Sequence, residues 1–229
     1  MTSAASRRSA AVHIGADDLR HPRHAAWARP LSCRDTVERL SRLCQAVGVR
    51  TQQALLGPDA TTGRVRAAIA AAAAAMGPGG LLVLTFSGHS ERPVPGENDG
   101  GWCLHDAALR HAETAALLAT TPKSARVVVI AETCYAAACA ATFTGVPATT
   151  VVLAACAENQ ATLNYQHSAF VRKLEWLTYP GGRPNPHCRS YAWLRQALRQ
   201  DTPDVERPDI RANHPAAMRH RPFRPAPRR

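Results

Sequence analysis

ARVVVIAETCYAA (residues 125–137) is a run of β-branched and aliphatic residues that stops at a polar break and a cysteine. A short apolar run of this kind suits a strand buried on both faces, the pattern of a parallel sheet covered by helices. LLVLTF (81–86) repeats the pattern and ends in SGHS, and TTVVLAAC (149–156) repeats it again. AAVHIG (10–15) reads as a first buried strand, while VRTQQALL (49–56) alternates with polar residues and belongs near a sheet edge.

Helical patterns fill the intervals. Val37, Leu40, Leu43, Cys44 and Val47 recur at three and four residues, and Gly48 closes the stripe. TTGRVRAAIAAAAAAMGPGG (61–80) pairs a capping threonine and a strong helix former with a G-P-G-G stop. Further helices are expected around 111–119, at YAAACAAT (135–142), at SAFVRKLEWL (168–177) and at SYAWLRQALRQ (190–200). Strands alternating with helices predict an α/β protein, a three-layer α/β/α sandwich around a mostly parallel central sheet. The expected domain spans 1–202, followed by a basic, Pro/Arg-rich and disordered tail at 203–229.

Lys and Arg number 28 against 17 Asp and Glu, a formal net charge of +11, and the end of the chain carries basic residues without acids. That end attracts anionic partners, but it holds no recognition motif, so a solubilising terminus is the plainer reading and nucleic acid is not the expected partner. The seven cysteines are dispersed and contain no C-x-x-C pair, which argues against a disulfide framework or a zinc site. No segment has the length of apolar sequence that a signal peptide or membrane helix needs, and the expected location is the cytoplasm, with no membrane partner.

In an open α/β sheet, sites form beyond the carboxyl ends of the strands. His89 and Cys134 each stand at such an end, and a thiol beside an imidazole makes a nucleophile with its own acid and base. A helix starting just after Cys134 would lower its pKa further. Taken singly, a cysteine after a buried strand is most often a small core residue, and ten histidines make one at a strand end unremarkable.

FSGHS (86–90) resembles the F-S-G-H-G of caspase-like cysteine peptidases, and IAETCYAA (130–137) resembles the I-x-D-x-C-x-S-G of metacaspases and related bacterial enzymes. LSCRDTVERLSRLCQAVGV (31–49), DGGWCLHD (99–106) and TVVLAACAENQAT (150–162) are similar, in order, to the family's first helix, the segment after the histidine and a later strand. The resemblance implies a cysteine endopeptidase: Cys134 attacks the scissile carbonyl, His89 is general acid and base, and the N–H groups of Cys134 and Ser90 hold the oxyanion. Ser90 stands where the family has glycine, and Ala136 and Ala137 stand where it has S-G. Glu132 matches a pocket acid of the metacaspases and Asp35 looks like the second, which implies cleavage after Arg in preference to Lys; a plain acid at a helix N-terminus is the other reading of Asp35.

The resemblance further implies protein substrates with exposed Arg or Lys, an activating protein partner and a role in bacterial defence or regulated death. The loop 91–106 offers only Glu91, Glu97, Asp99 and Asp106, too few oxygens for a calcium cage, so no metal and no cofactor is expected. A monomer is expected. Two other readings stay open: a catalytically weak caspase-like pseudoenzyme acting as an interaction module, and a basic nucleic-acid-binding protein whose cysteine and histidine are incidental.

Overall fold

The computed structural model describes residues 9–27, 32–162, 169–202 and 206–224. In chain order the elements are β1 (Ala10–Ala16), α1 (Cys33–Ala46), β2 (Thr51–Leu56), α2 (Thr62–Ala74), β3 (Leu81–Gly88), β4 (Ser90–Glu91), β5 (Gly101–Cys103), β6 (Ala108–Arg110) and α3 (His111–Leu118). There follow β7 (Arg126–Glu132), α4 (Cys139–Thr142), β8 (Thr149–Ala154), α5 (Ala169–Thr178), α6 (Tyr191–Arg199) and β9 (Asp209–Ala212).

The main sheet has the order β2-β1-β3-β7-β8-β9, parallel throughout except for β9 at one edge. Strand alternation splits its side chains between two cores. Leu82, Leu84, Phe86, Val127 and Val129 pack with residues of α2 and α3, whereas Val83, Val128, Ile130, Val151 and Leu153 pack with residues of α1, α5 and α6. Both faces are therefore buried, which is why β3, β7 and β8 read as continuous apolar runs. The expected three-layer sandwich is the observed one. Among the described residues no helix is long and apolar enough to cross a membrane.

A second, three-stranded sheet, β4-β5-β6, continues from the end of β3. Trp102 of β5 is fully buried and stacks on Phe86 of β3, with ring centroids 4.8 Å apart and planes 6° from parallel. This contact ties the small sheet to the strand that leads into His89.

The basic C-terminal stretch corrects the expected boundary. Residues 209–212 form β9, antiparallel to β8, and Ile210 and Phe223 are buried in the core on the α1/α5/α6 face. Buried Asp209 fixes the strand: its two oxygens meet Arg195, Arg199 and Arg211, and Arg199 also donates to the carbonyl of Pro208. One arginine of the expected tail, Arg211, is thus engaged with two arginines of α6 in docking an edge strand. Residues 203–205 and 225–229 of the expected tail lie outside the described residues.

Candidate active site

Strands β3 and β7 run in parallel register with Ser87 opposite Glu132. His89 and Cys134 each follow by two residues, so both leave the sheet at the same edge. They line one cavity of about 350 Å³, with Ala26, Trp27, Ser90 and Tyr135. Cys134 is partly exposed and the other six cysteines are buried. Burial pushes the thiols of Cys33, Cys44, Cys103 and Cys139 up to about 12, and those of Cys156 and Cys188 up to about 11. Six thiols are held protonated and one is presented.

The turns around these two residues have tight requirements. A Cβ on Gly88 would sit 2.7 Å from the carbonyl oxygen of Ala16 and 2.9 Å from the Phe86 ring, so glycine is needed before His89 by close approach. After Cys134, Tyr135 adopts the left-handed conformation, φ 54° and ψ 27°, and donates its N–H to the carbonyl of Gln160 at 2.7 Å. A bulky residue is strained there, and such strain concentrates at functional sites. The chain then makes a 3-10 turn, Ala136–Ala138, before the four residues of α4. The full helix expected after the cysteine is absent, so a helix dipole does not act on Cys134. Ala136 and Ala137 are buried in the core on the α2/α3 face, where small side chains let the turn pack closely.

Ser90 is not among the residues with positive φ, so a side chain there carries no backbone penalty. It opposes Trp102, and the N–H of Cys103 bonds to the carbonyl of His89, which makes Ser90 and Trp102 a non-hydrogen-bonded pair. The N–H of Ser90 therefore points away from β5. Its hydroxyl donates to the carbonyl of Cys134, a direct tie between the two motifs.

Glu132 and Asp35 do not come together. The Glu132 carboxylate accepts from Thr36 Oγ1 at 2.7 Å and from Ser87 Oγ at 3.2 Å. Asp35 binds Arg39 at 2.9 Å, and Arg39 reaches on to Glu175 at 3.3 Å. Neighbouring helix positions differ by about 100° in direction, so the first turn of α1 sends Thr36 to the strand end and Asp35 to the surface. Glu132 also lines a second cavity of about 320 Å³ that includes Asp201, Glu206 and Lys173. Lys173 donates to the carbonyl of Gln200 and to Thr202 Oγ1. Asp201 and Glu206 had no sequence signal, lying at the expected end of the domain and in the expected tail. Buried Cys33 lies nearby, its thiol raised by burial and further by the charge of Glu132.

The acids of the 91–106 loop are partly engaged. Glu91 meets His24 at 2.9 Å and Arg110 at 2.6 Å, and Asp106 accepts from the N–H and hydroxyl of Thr62 at 2.7 and 3.0 Å. Among the described residues no three His, Cys, Asp or Glu side chains gather as a metal site.

Solved structures resemble this fold over nearly the whole chain. A protein of Geobacter sulfurreducens matches with a TM-score of 0.79 at 22% identity, covering 96% of this chain and all, 100%, of that one. Caspase-1 from Spodoptera frugiperda matches with a TM-score of 0.60 at 14% identity, covering 90% of this chain and 86% of that one. The fold is caspase-like. No protein-family model matches the chain, nor does any curated protein sequence. At these identities the likeness speaks for the caspase-like fold alone, and function has to be argued from the residues.

Proposed function

We propose that this chain is a cysteine endopeptidase in which Cys134 and His89 form the reacting pair, with cleavage after arginine. The observation that carries the reading is the in-register exit of His89 and Cys134 from β3 and β7 into one cavity. His89 takes the thiol proton, Cys134 Sγ attacks the scissile carbonyl, and the tetrahedral oxyanion is held by the N–H groups of Cys134 and Ser90. Collapse expels the amine, which His89 protonates, and leaves a thioester that water, deprotonated by His89, hydrolyses. The outward N–H of Ser90 supports its role as an oxyanion donor.

The residue before the scissile bond falls on the Glu132 side of Cys134. There the described lining places Glu132, Asp201 and Glu206 with Lys173, which is itself bonded to Gln200 and Thr202, and this acidic lining supports a cationic side chain. A guanidinium can bridge separated carboxylates with its fork of donors, so Arg is preferred to Lys.

The test uses purified wild type, Cys134→Ala and His89→Ala on fluorogenic peptides with Arg, Lys or Asp before the scissile bond. Wild type cuts the Arg peptide fastest, Lys more slowly and Asp not at all, and each variant loses about three orders of magnitude in kcat/KM. Equal turnover by wild type and Cys134→Ala would end the peptidase reading.

A further inference from the structure

Trp27 is 41% exposed, yet its position is heavily determined. Its ring stacks on His24, with centroids 5.3 Å apart and planes at 28°, and on the cleft side it lies 6.4 Å from the His89 ring. His24 is buried at 1% exposure and meets the tilted ring of His21, with centroids 5.0 Å apart. His24 Nε2 meets Glu91 Oε1 at 2.9 Å, and the other Glu91 oxygen meets Arg110 at 2.6 Å. Glu91 belongs to β4, two residues beyond His89, so the Trp27 wall is braced by the short strand that begins directly after His89.

With Nε2 on Glu91, the buried Nδ1 of His24 has no hydrogen-bond partner among the described residues. An unmet buried polar atom is destabilising and persists where the position serves a site. Here what His24 supplies is the flat face under Trp27. An exposed tryptophan taken singly needs no explanation, but one braced by a buried imidazole at the wall of a reactive cleft does.

The chemistry of thiol proteolysis assigns the two cavities. His89 protonates the leaving amine, so the cavity that holds His89 and Trp27 receives the leaving half of the substrate, and the acidic cavity beside Glu132 receives the half that stays acylated. Resting on the peptidase reading above, we propose that Trp27 selects an aromatic or large aliphatic residue directly after the scissile bond and that His24, held by Glu91, is its positioning residue. Arg92, exposed and also lining this cavity, disfavours a second cation at the same place.

The experiment compares wild type, Trp27→Ala, Trp27→Phe and His24→Ala on internally quenched peptides with Arg before the bond and Phe, Leu, Gly or Lys after it, with Cys134→Ala as background. Wild type favours Phe over Gly by about tenfold in kcat/KM and handles Lys worst. Trp27→Ala brings the Phe-to-Gly ratio close to one, Trp27→Phe keeps most of it, and His24→Ala lowers it through KM rather than kcat. Turnover that depends on Cys134 but shows no such ratio in wild type, or the same ratio in Trp27→Ala, overturns this inference and leaves the peptidase reading standing. Absence of any Cys134-dependent turnover removes both.

Discussion

Thr36 donates its hydroxyl to the Glu132 carboxylate at 2.7 Å, across the gap between the first turn of α1 and the end of β7. With Ser87 on the same carboxylate, Glu132 is held in place two residues before Cys134 while still facing the second cavity. A charge fixed this way is organised before a ligand arrives, and preorganised charge is what discriminates between ligands.

Specificity should therefore follow Glu132 and not Asp35. On the proposed peptidase reading, Glu132→Gln lowers kcat/KM for the Arg peptide by about two orders of magnitude, since it removes a hydrogen-bonded charge from the proposed cation site. Asp35→Asn changes it by no more than about twofold, because its partner Arg39 lies on the surface of α1. Steady-state kinetics on the Arg peptide decide between them, and a larger effect from Asp35→Asn would reverse the assignment.

Thiol chemistry offers a check that needs no substrate. Six cysteines are buried with thiols raised to about 11 or 12, so their thiolate fraction near neutral pH is minute, while Cys134 opens into the cleft. Brief treatment of the native protein with iodoacetamide at pH 7.5 adds one carbamidomethyl group, on the peptide containing Cys134. Peptide mapping that finds Cys103 or Cys156 modified first would contradict the packing described here.

Asp209 anchors β9 and should be felt in stability. It is 4% exposed and bears contacts from Arg195, Arg199 and Arg211 as well as the N–H of Ile210 at 2.9 Å. Asp209→Ala strands those partners, and the arginines are themselves partly solvated, so the loss is about 2 kcal/mol. Urea unfolding measures it; an unchanged midpoint would mean that β9 is held by Ile210 and its neighbours alone.

Acid should weaken the fold through two buried imidazoles. His13 is fully buried, with Nδ1 3.0 Å from Thr85 Oγ1 and Nε2 2.8 Å from Gln52 Oε1. The Gln52 amide donates to the carbonyls of Ser41 and Val49, which fixes its oxygen toward His13 and so makes Nε2 the protonated nitrogen of the neutral ring. Burial lowers the pKa of His13 below its usual 6.5, and burial likewise lowers that of His111. The unfolded chain then binds protons that the folded chain refuses, so stability is complete above pH 6.5 and falls as pH drops from 6.5 toward the lower folded values. Unfolding free energies at pH 7.5 and 5.5 report it, the lower value being expected at pH 5.5.

Several features were legible in the sequence for definite reasons. β3, β7 and β8 are buried on both faces, and no other demand competes with an apolar run. The α1 stripe was equally plain, since Val37, Leu40, Leu43 and Cys44 all reach the core. YAAACAAT misled because alanine favours helix wherever it stands, whereas Tyr135 in the left-handed conformation and the bond from its N–H to Gln160 divert the chain into a 3-10 turn first. RPDIRA hid a strand, because four residues give too short an alternation to see and Arg211 looked like solvated charge when it is a partner of Asp209.

The sequence alone determined the layered α/β architecture and placed His89 and Cys134 at the carboxyl ends of buried strands, because burial on two faces is written in local runs of residues. Tertiary structure decided which side chains face those two. Thr36 rather than Asp35 meets Glu132, Asp201 and Glu206 share its cavity from the far end of the chain, and Trp27 reaches His89 on the stack of His24. Helix phase and contacts between residues distant along the chain set these placements, and both depend on how the layers pack.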